Sequence, residues 1–247
     1  MSAYNDLILS DTPTVMWTLD DAGSRVGGVV TDSSGNGYDG SEYSPAGGTV
    51  PAGLVGDGQP CDDWTNSGKI NGPAGPLYAD QSDHSIEIWF RPDIATPGIN
   101  KVMACQWSSA SPLWILAHIT DGRIRAAFRD SVNANVFLYS DAAVTVDEIY
   151  HVVYTISTTN GHKLYINGVL HDSDPDTFIK SVTQRTVTVG NYTLDTDYNA
   201  TNTPDAAMDK FSFYPYELTE SQISGHYNWL SSGGSVYIPL QRRRRRI

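Results

Sequence analysis

Short runs of alternating apolar and polar residues, each closed by a cluster of Gly, Asp, Asn, Ser or Pro, recur along almost the whole chain. That punctuation constrains the fold more than any other feature. Period-two alternation buries one face of a strand, and the turn cluster ends it. The expected strands are Val15–Leu19, Ser85–Phe90, Lys101–Gln106, Trp114–Ile119, Arg123–Arg129, Val136–Ser140, His151–Ile156, Lys163–Ile166, Thr186–Val189 and Lys210–Tyr214. About ten strands suffice for two packed antiparallel sheets. No long segment of 3.6-residue periodicity separates them, which argues against an α/β fold. One short helix is expected near the end. There Thr219 and Gln222 form a capping box, and Ile223, Tyr227 and Leu230 share a face.

The chain of 247 residues has room for one large β domain or two small ones. No internal repeat or boundary interrupts residues 1–230, which read as a single all-β, two-sheet antiparallel sandwich. Residues 231–247 read as a separate flexible linker, Ser231 to Ser235, followed by a β-like stretch and a basic arm. The two cysteines, Cys61 and Cys105, are too few for a disulfide scaffold or a zinc finger. No apolar run approaches the roughly 20 residues of a membrane helix, and the first residues lack the pattern of a signal peptide. The expected thiols are therefore free, and the sequons at Asn191 and Asn199 carry no meaning outside a secretory route.

Charge divides the chain. The net charge is −12, yet Arg242, Arg243, Arg244, Arg245 and Arg246 are consecutive, and without their five charges the remainder carries −17. Such a body repels nucleic acid. The Arg run reads either as a solvated tail or, with Tyr237 in the stretch before it, as an arm that adds to a neighbouring sheet and anchors to carboxylates of a partner.

The hairpin Trp114–Arg129 is the most informative local feature. Asp121-Gly122 signals a two-residue type I′ turn. That turn would pair Thr120 with Arg123, His118 with Arg125, Leu116 with Ala127 and Trp114 with Arg129. Ile115, Ala117, Ile119, Ile124, Ala126 and Phe128 would then face the core, and Trp114, His118, Arg125 and Arg129 would look away from it. A flat ring beside charged donors suits a sugar, especially an acidic one, since Arg grips carboxylate in a bidentate way. Trp107 and Tyr139 would extend this carbohydrate site. The alternative is a Trp114–Arg129 cation–π pair on a solvated or partner-facing surface.

The ordered series of motifs resembles the concanavalin A-like, laminin-G-like jelly rolls. Tyr4 to Trp17 looks like the family's leading strand, and Asp32-Ser33-Ser34-Gly35-Asn36-Gly37 is similar to its Asp-Ser-Ser-Gly-Asn loop. Ser85-Ile86-Glu87-Ile88-Trp89-Phe90-Arg91-Pro92 resembles its core strand, with Trp89 on the face opposite Ile86 and Ile88. His151 to Thr155, Leu164 to Val169 with an Asn167-Gly168 turn, Val189 to Asn191, and Met208-Asp209 to His226-Tyr227 complete the series.

The resemblance implies a jelly roll and a structural calcium at Asp32, Asn36 and Asp209, with backbone oxygens completing its shell. Against calcium stand the Asx-turn chemistry of such loops and the cation Lys210 beside Asp209. The resemblance extends to minor tail proteins of tailed phages. It implies a virion surface protein, made in the host cytoplasm, tied to other virion proteins by its arm and adhering to host polysaccharide as a homo-oligomer. A capsid decoration protein that binds no sugar is the second reading. A glycoside hydrolase is the third, and the paired carboxylates it needs are missing: Glu87 stands alone on its strand, and Asp147 and Glu148 are adjacent. The expectation is a non-enzymatic protein.

Overall fold

In the computed structural model the described residues are 2–20, 28–43, 48–50, 53–55, 61–64, 69–73, 82–107, 112–179, 186–191 and 202–229. Helix α1 (Ala3–Ser10) leads into β1 (Val15–Trp17), β2 (Val29–Val30), β3 (Gly40–Tyr43), β4 (Gly48–Val50), β5 (Cys61–Trp64) and β6 (Lys69–Asn71). The longer strands follow: β7 (His84–Pro92), β8 (Lys101–Trp107), β9 (Pro112–His118), β10 (Arg123–Arg129), β11 (Asn135–Ala143), β12 (Tyr150–Ser157) and β13 (Gly161–Ile166). Then come β14 (Val169–Asp174), β15 (Val187–Val189), β16 (Ala206–Tyr214) and helix α2 (Glu220–Asn228).

The strands form two antiparallel sheets packed face to face. One runs β14-β13-β12-β7-β16-β5-β4, with β1 also on β16, and the other runs β11-β10-β9-β8-β15-β6-β3-β2. All ten expected strands are present, with ends shifted by a few residues. Asn167 and Gly168 have φ of 54° and 77°, the two positive values that a type I′ turn requires, and they join β13 to β14 with Ile166 opposite Val169. Capping of α2 is also as expected, since the Thr219 side chain accepts from Gln222 N and Gln222 Oε1 accepts from Thr219 N.

The stretch from Tyr4 onward departs from expectation. It begins as a helix, because the Ser2 hydroxyl caps Asn5 N and the spacing of Tyr4 and Ile8 buries one helical face. The strand portion is only Val15–Trp17.

The inter-sheet core takes one face of each strand. On β7 it takes Ile86, Ile88 and Phe90, while Trp89 points the other way into a second apolar cluster beneath the helices. Strand β16 switches phase partway. Ala206 and Met208 face the inter-sheet core, then Phe211 and Phe213 do. A bulge between Asp209 and Ser212, with Lys210 at φ 52°, inserts the extra residue. At that point the neighbour of β16 changes from β5 to β1. The phase change also turns Tyr214 outward, under the helices.

Tyr214 meets a buried polar cluster there. Glu87, 1% exposed, accepts from the Tyr4 hydroxyl at 3.2 Å and the Tyr214 hydroxyl at 2.6 Å, and lies 2.6 Å from His151 Nε2. His226 of α2 places Nδ1 3.1 Å from Glu87 and Nε2 2.8 Å from Asp11, the residue that ends α1. A ring with carboxylates against both nitrogens must be an imidazolium, since only that form donates from both. Sequence reading left Glu87 alone on its strand. In the fold it is the point at which both helices are fastened to the first sheet.

The protonation states follow from these contacts. Burial opposes ionisation of Glu87, but the His226 charge and the His151 and His226 bonds outweigh it and hold the carboxyl well below its usual range. Burial also opposes the His226 charge, yet Glu87 and Asp11 push its pKa up to about 9. His84 and His162 go the other way, lowered to about 4 by burial.

Linkage then gives a sign on each side of pH 6.5, the ordinary histidine value. The His226 contribution is complete below pH 6.5 and is lost as pH rises through about 9. That of neutral His84 and His162 is complete above pH 6.5 and is lost as pH falls towards about 4. Glu87 adds to the acid loss, since its depressed pKa stabilises only while it is ionised. Melting temperature should therefore peak near pH 6.5 and decline on both sides. Replacing the cation in His226→Gln should destabilise by roughly 3–5 kcal/mol at neutral pH, because two carboxylates lose their bridge. It should also abolish the decline between about pH 6.5 and 9 while leaving the acid loss due to His84 and His162. An unchanged alkaline slope in His226→Gln melts would contradict the assignment.

Candidate functional site

The β9–β10 hairpin turns with three residues, one more than the sequence signal implied. Gly122 N donates to Ile119 O at 2.8 Å, Ile119 N donates to Arg123 O at 2.9 Å, and Gly122 alone carries a positive φ, 86°. This is a type I turn closed by a left-handed glycine. A Cβ at Gly122 would stand 2.7 Å from Ala95 O, so the glycine is needed for space as well as for φ.

The register moves by one residue as a result. Ile124 faces His118, Arg125 faces Ala117, Ala126 faces Leu116 and Phe128 faces Trp114. Such a slip sends a whole strand's side chains to the other face relative to its neighbour. Trp114, Leu116, Ile124, Ala126 and Phe128 therefore line the inter-sheet core together.

The four-residue site expected on this hairpin is thus divided. Trp114 is 2% exposed and donates Nε1 to Gln106 Oε1 at 3.1 Å. His118 is buried, edge-on to Phe90, with Nε2 3.0 Å from Ala95 O, and burial lowers its pKa. Neither ring can meet a ligand, and Trp114 does not stack on Arg129.

Arg125 and Arg129 alternate with Ala127 along the outward face of β10. Across the strand boundary Tyr139 stands opposite Arg125, and Phe137 stands opposite Ala127. The Arg125 guanidinium lies 4.8 Å above the Phe137 ring, and that of Arg123 lies 4.2 Å above Tyr139. Phe137, which sequence reading did not single out, is 39% exposed. Its signal was the alternation Phe137, Tyr139 on a strand opposite Arg125, legible only with the correct register.

The pairing of charges distinguishes the two arginines. Arg91, Lys101, Arg123, Lys163 and Lys210 each lie within ion-pair distance of a carboxylate. Arg125 and Arg129 have no ion pair among the described residues. Arg129 gives Nη1 to Asn133 O at 2.8 Å, and the Nε of each arginine is buried without a hydrogen-bond partner. Desolvation lowers the Arg125 pKa, offset in part by Tyr139. Two half-buried cations thus lack a counter-charge among the described residues, on a chain of net charge −12.

The residues expected at calcium are engaged in hydrogen bonds within the fold. The Asp32 carboxylate accepts from Met16 N, Ser34 N, Ser34 Oγ and Tyr38 N at 2.8–3.0 Å, the pattern of an Asx turn. Asn36 turns its amide nitrogen towards Thr14 O at 3.0 Å. Asp209 accepts from Leu54 N at 2.9 Å, with Lys210 Nζ 3.5 Å away. No group of three His, Cys, Asp or Glu residues suited to a metal occurs among the described residues. The Trp107 side chain, Tyr237 and Arg242 to Arg246 lie outside the described residues. Trp114→Ala should cost about 3–5 kcal/mol of stability, as a core truncation does, measured by urea unfolding. A loss under about 1 kcal/mol would place the ring on the surface.

The profile of the concanavalin A-like lectin/glucanases superfamily matches residues 65–224. No match was found among curated proteins. Among solved structures, the chain is similar to the botulinum neurotoxin serotype D ligand binding domain in complex with N-acetylneuraminic acid. That match has a TM-score of 0.62 and 17% identity over 92% of this chain and 52% of that one. The botulinum neurotoxin serotype G binding domain matches with a TM-score of 0.62 and 17% identity over 90% and 51% of the two chains. The binding domain of botulinum neurotoxin DC in complex with rat synaptotagmin II gives 0.62 and 14% over 90% and 52%. The chain spans about half the length of these structures, and at such identities they share its fold alone. With the profile covering well over half of its length, this chain belongs to the concanavalin A-like lectin/glucanase superfamily.

Proposed function

We propose that this protein binds carbohydrate without turning it over, and that the outward face of β10 and β11 takes an acidic sugar. One observation carries the reading: among the described residues Arg125 and Arg129 are cations without ion pairs, set beside the exposed Phe137 ring. A sugar carboxylate would supply the missing counter-charge, with the Nη groups as donors, since the Nε of each arginine is buried. The apolar face of the pyranose would pack against the free side of Phe137. Tyr139 holds the edge of the site through its contact with Arg123.

A binding role without catalysis is supported by the state of the best-placed carboxylate. Glu87 is enclosed by hydroxyls and imidazoles, 1% exposed, and committed to fastening the helices. Sugar sites of this kind are weak singly, and symmetric oligomers would raise their avidity. The setting we propose is the surface of a tailed-phage particle, where the protein would adhere to host polysaccharide. This rests on the likeness to minor tail proteins of tailed phages noted above, and immunogold labelling of particles tests it. Label at the tail supports adhesion. Label over the head favours a decoration role, a second reading supported by the exposure of Val169 (62%) and Leu170 (42%) on the edge strand β14.

Calorimetry with sialyllactose and with lactose tests the site. Arg125→Ala should weaken sialyllactose binding by roughly 1.5–3 kcal/mol, the worth of a hydrogen bond to a charged group. Phe137→Ala should weaken both sugars. Binding should decline as salt rises from low to physiological strength. Equal affinity for the two sugars, or an Arg125→Ala variant that binds as well as wild type, would overturn the reading.

A further inference from the structure

The Asp-Ser-Ser-Gly-Asn loop walls a cleft. The space, ≈ 530 Å³ and open to solvent, lies between the end of α1, the turn before β1, this loop and Pro215. Its volume falls within the range of small-molecule sites. The chemistry of its walls is distinctive for a chain this acidic. Leu9, Tyr38 and Pro215 supply apolar surface, Thr12 and Ser34 supply hydroxyls, and Asn36 supplies an amide, while no Asp, Glu, Lys or Arg among the described residues lines it.

These walls are set in place before any ligand arrives. Asp32 gathers the loop by accepting from Ser34 N and Tyr38 N, and Asn36 Nδ2 ties it across to Thr14 O. The Asn36 amide oxygen has no partner among the described residues and is available as an acceptor. Opposite it, Thr12 adopts φ 48°, a left-handed conformation rare for a β-branched residue. The turn is held there by Thr12 N on Leu9 O at 3.0 Å and Thr14 N on Phe213 O at 2.8 Å. Tyr38 is half-buried against the inter-sheet core, so its ring is fixed in orientation. Backbone held out of its preferred region by the surrounding structure is a recurrent feature of ligand sites.

We infer that this cleft binds an uncharged saccharide. A neutral sugar matches the walls: ring faces against Tyr38 and Leu9, hydroxyls to Asn36 and Thr12, and no charge for which a counter-ion would be needed. An acidic sugar has no cation to meet here. The cleft shares no residue with the Arg125 face, so the two sites can fail independently.

Amide-resolved NMR titration of the full chain with maltotetraose and chitotetraose, each in turn, tests the inference. At least one should give saturable shifts confined to Leu9, Thr12, Asn36 and Tyr38 and their neighbours, with Kd on the order of 1 mM. Leu9→Arg, which fills the cleft from a partly exposed position, should weaken that binding at least about tenfold with little change in melting temperature. Tyr38→Leu keeps the core contact and should have a similar effect, whereas Arg125→Ala should have none. No saturable shift at the cleft with either oligosaccharide would overturn the proposal, as would binding that survives Leu9→Arg. If Tyr38→Leu fails to fold, the wild-type shift map and Leu9→Arg decide the matter. Sialyllactose binding that persists alongside an empty cleft would defeat this proposal and leave that of the Arg125 face intact.

Discussion

Strand alternation obliges every residue of this sandwich to choose between the inter-sheet core and an outer face, and single-residue insertions decide which way the choice falls. Two such insertions matter. The three-residue turn at Thr120 to Gly122 sends Trp114 into the core and leaves Arg125, Arg129, Phe137 and Tyr139 outside. The bulge in β16 returns Phe211 and Phe213 to the core after Met208 and frees Tyr214 to reach Glu87. Each inserted residue bonds its backbone elsewhere, Gly122 O accepting from Val144 N and Lys210 N donating to Thr18 O, and each sets the chemistry of a whole surface.

The two outer faces were put to opposite uses. On the first sheet the face is closed by α1 and α2, which bury Trp89, Tyr165 and Ala207 beneath Ile8 and Ile223. A lone buried carboxylate would be costly there, and Glu87 is made tolerable by hydroxyls, an imidazole and the imidazolium of His226. The ends of the described fold are thereby joined through one group, since Tyr4 and Asp11 come from its start and His226 from its finish. On the second sheet the strands β10 and β11 keep cations and an aromatic ring towards solvent. Their edge is shielded by β14, whose Asp172 accepts from Tyr139 N and whose His171 lies 3.1 Å from Asp141 N.

Much of this was legible in the sequence. Strands of six or more residues announced themselves by alternation, except β14, whose six residues have no buried face to alternate, and Asn167-Gly168 and the Thr219–Gln222 box specified a turn and a helix start correctly. Strands β2 to β6, two to four residues each, were not visible, because so few residues carry no period and their pairing comes from neighbours far along the chain. Helix α1 was hidden within a stretch that resembled a strand; its Ser2 cap and the Tyr4–Ile8 spacing were the overlooked signals. The hairpin register failed for a sharper reason. Asp-Gly serves both a two-residue turn and the end of a three-residue one, and only the core's need for Trp114 opposite Phe128 separates them. Glu87's partners at residues 4, 151, 214 and 226 share no local pattern that a strand reading could register.

The functional reading turns on Arg125 and Arg129 standing outside the core, without ion pairs among the described residues, ready to meet an anionic sugar. The most direct test observes their guanidinium groups: the ¹⁵Nε–¹Hε resonances of the arginines, followed by NMR as sialyllactose and then lactose are added. The account predicts saturable shifts of the Arg125 and Arg129 signals with sialyllactose, little change with lactose, and still signals for Arg91 and Arg123, which already hold carboxylates. Arginine signals that ignore sialyllactose, or that move equally with both sugars, would contradict it.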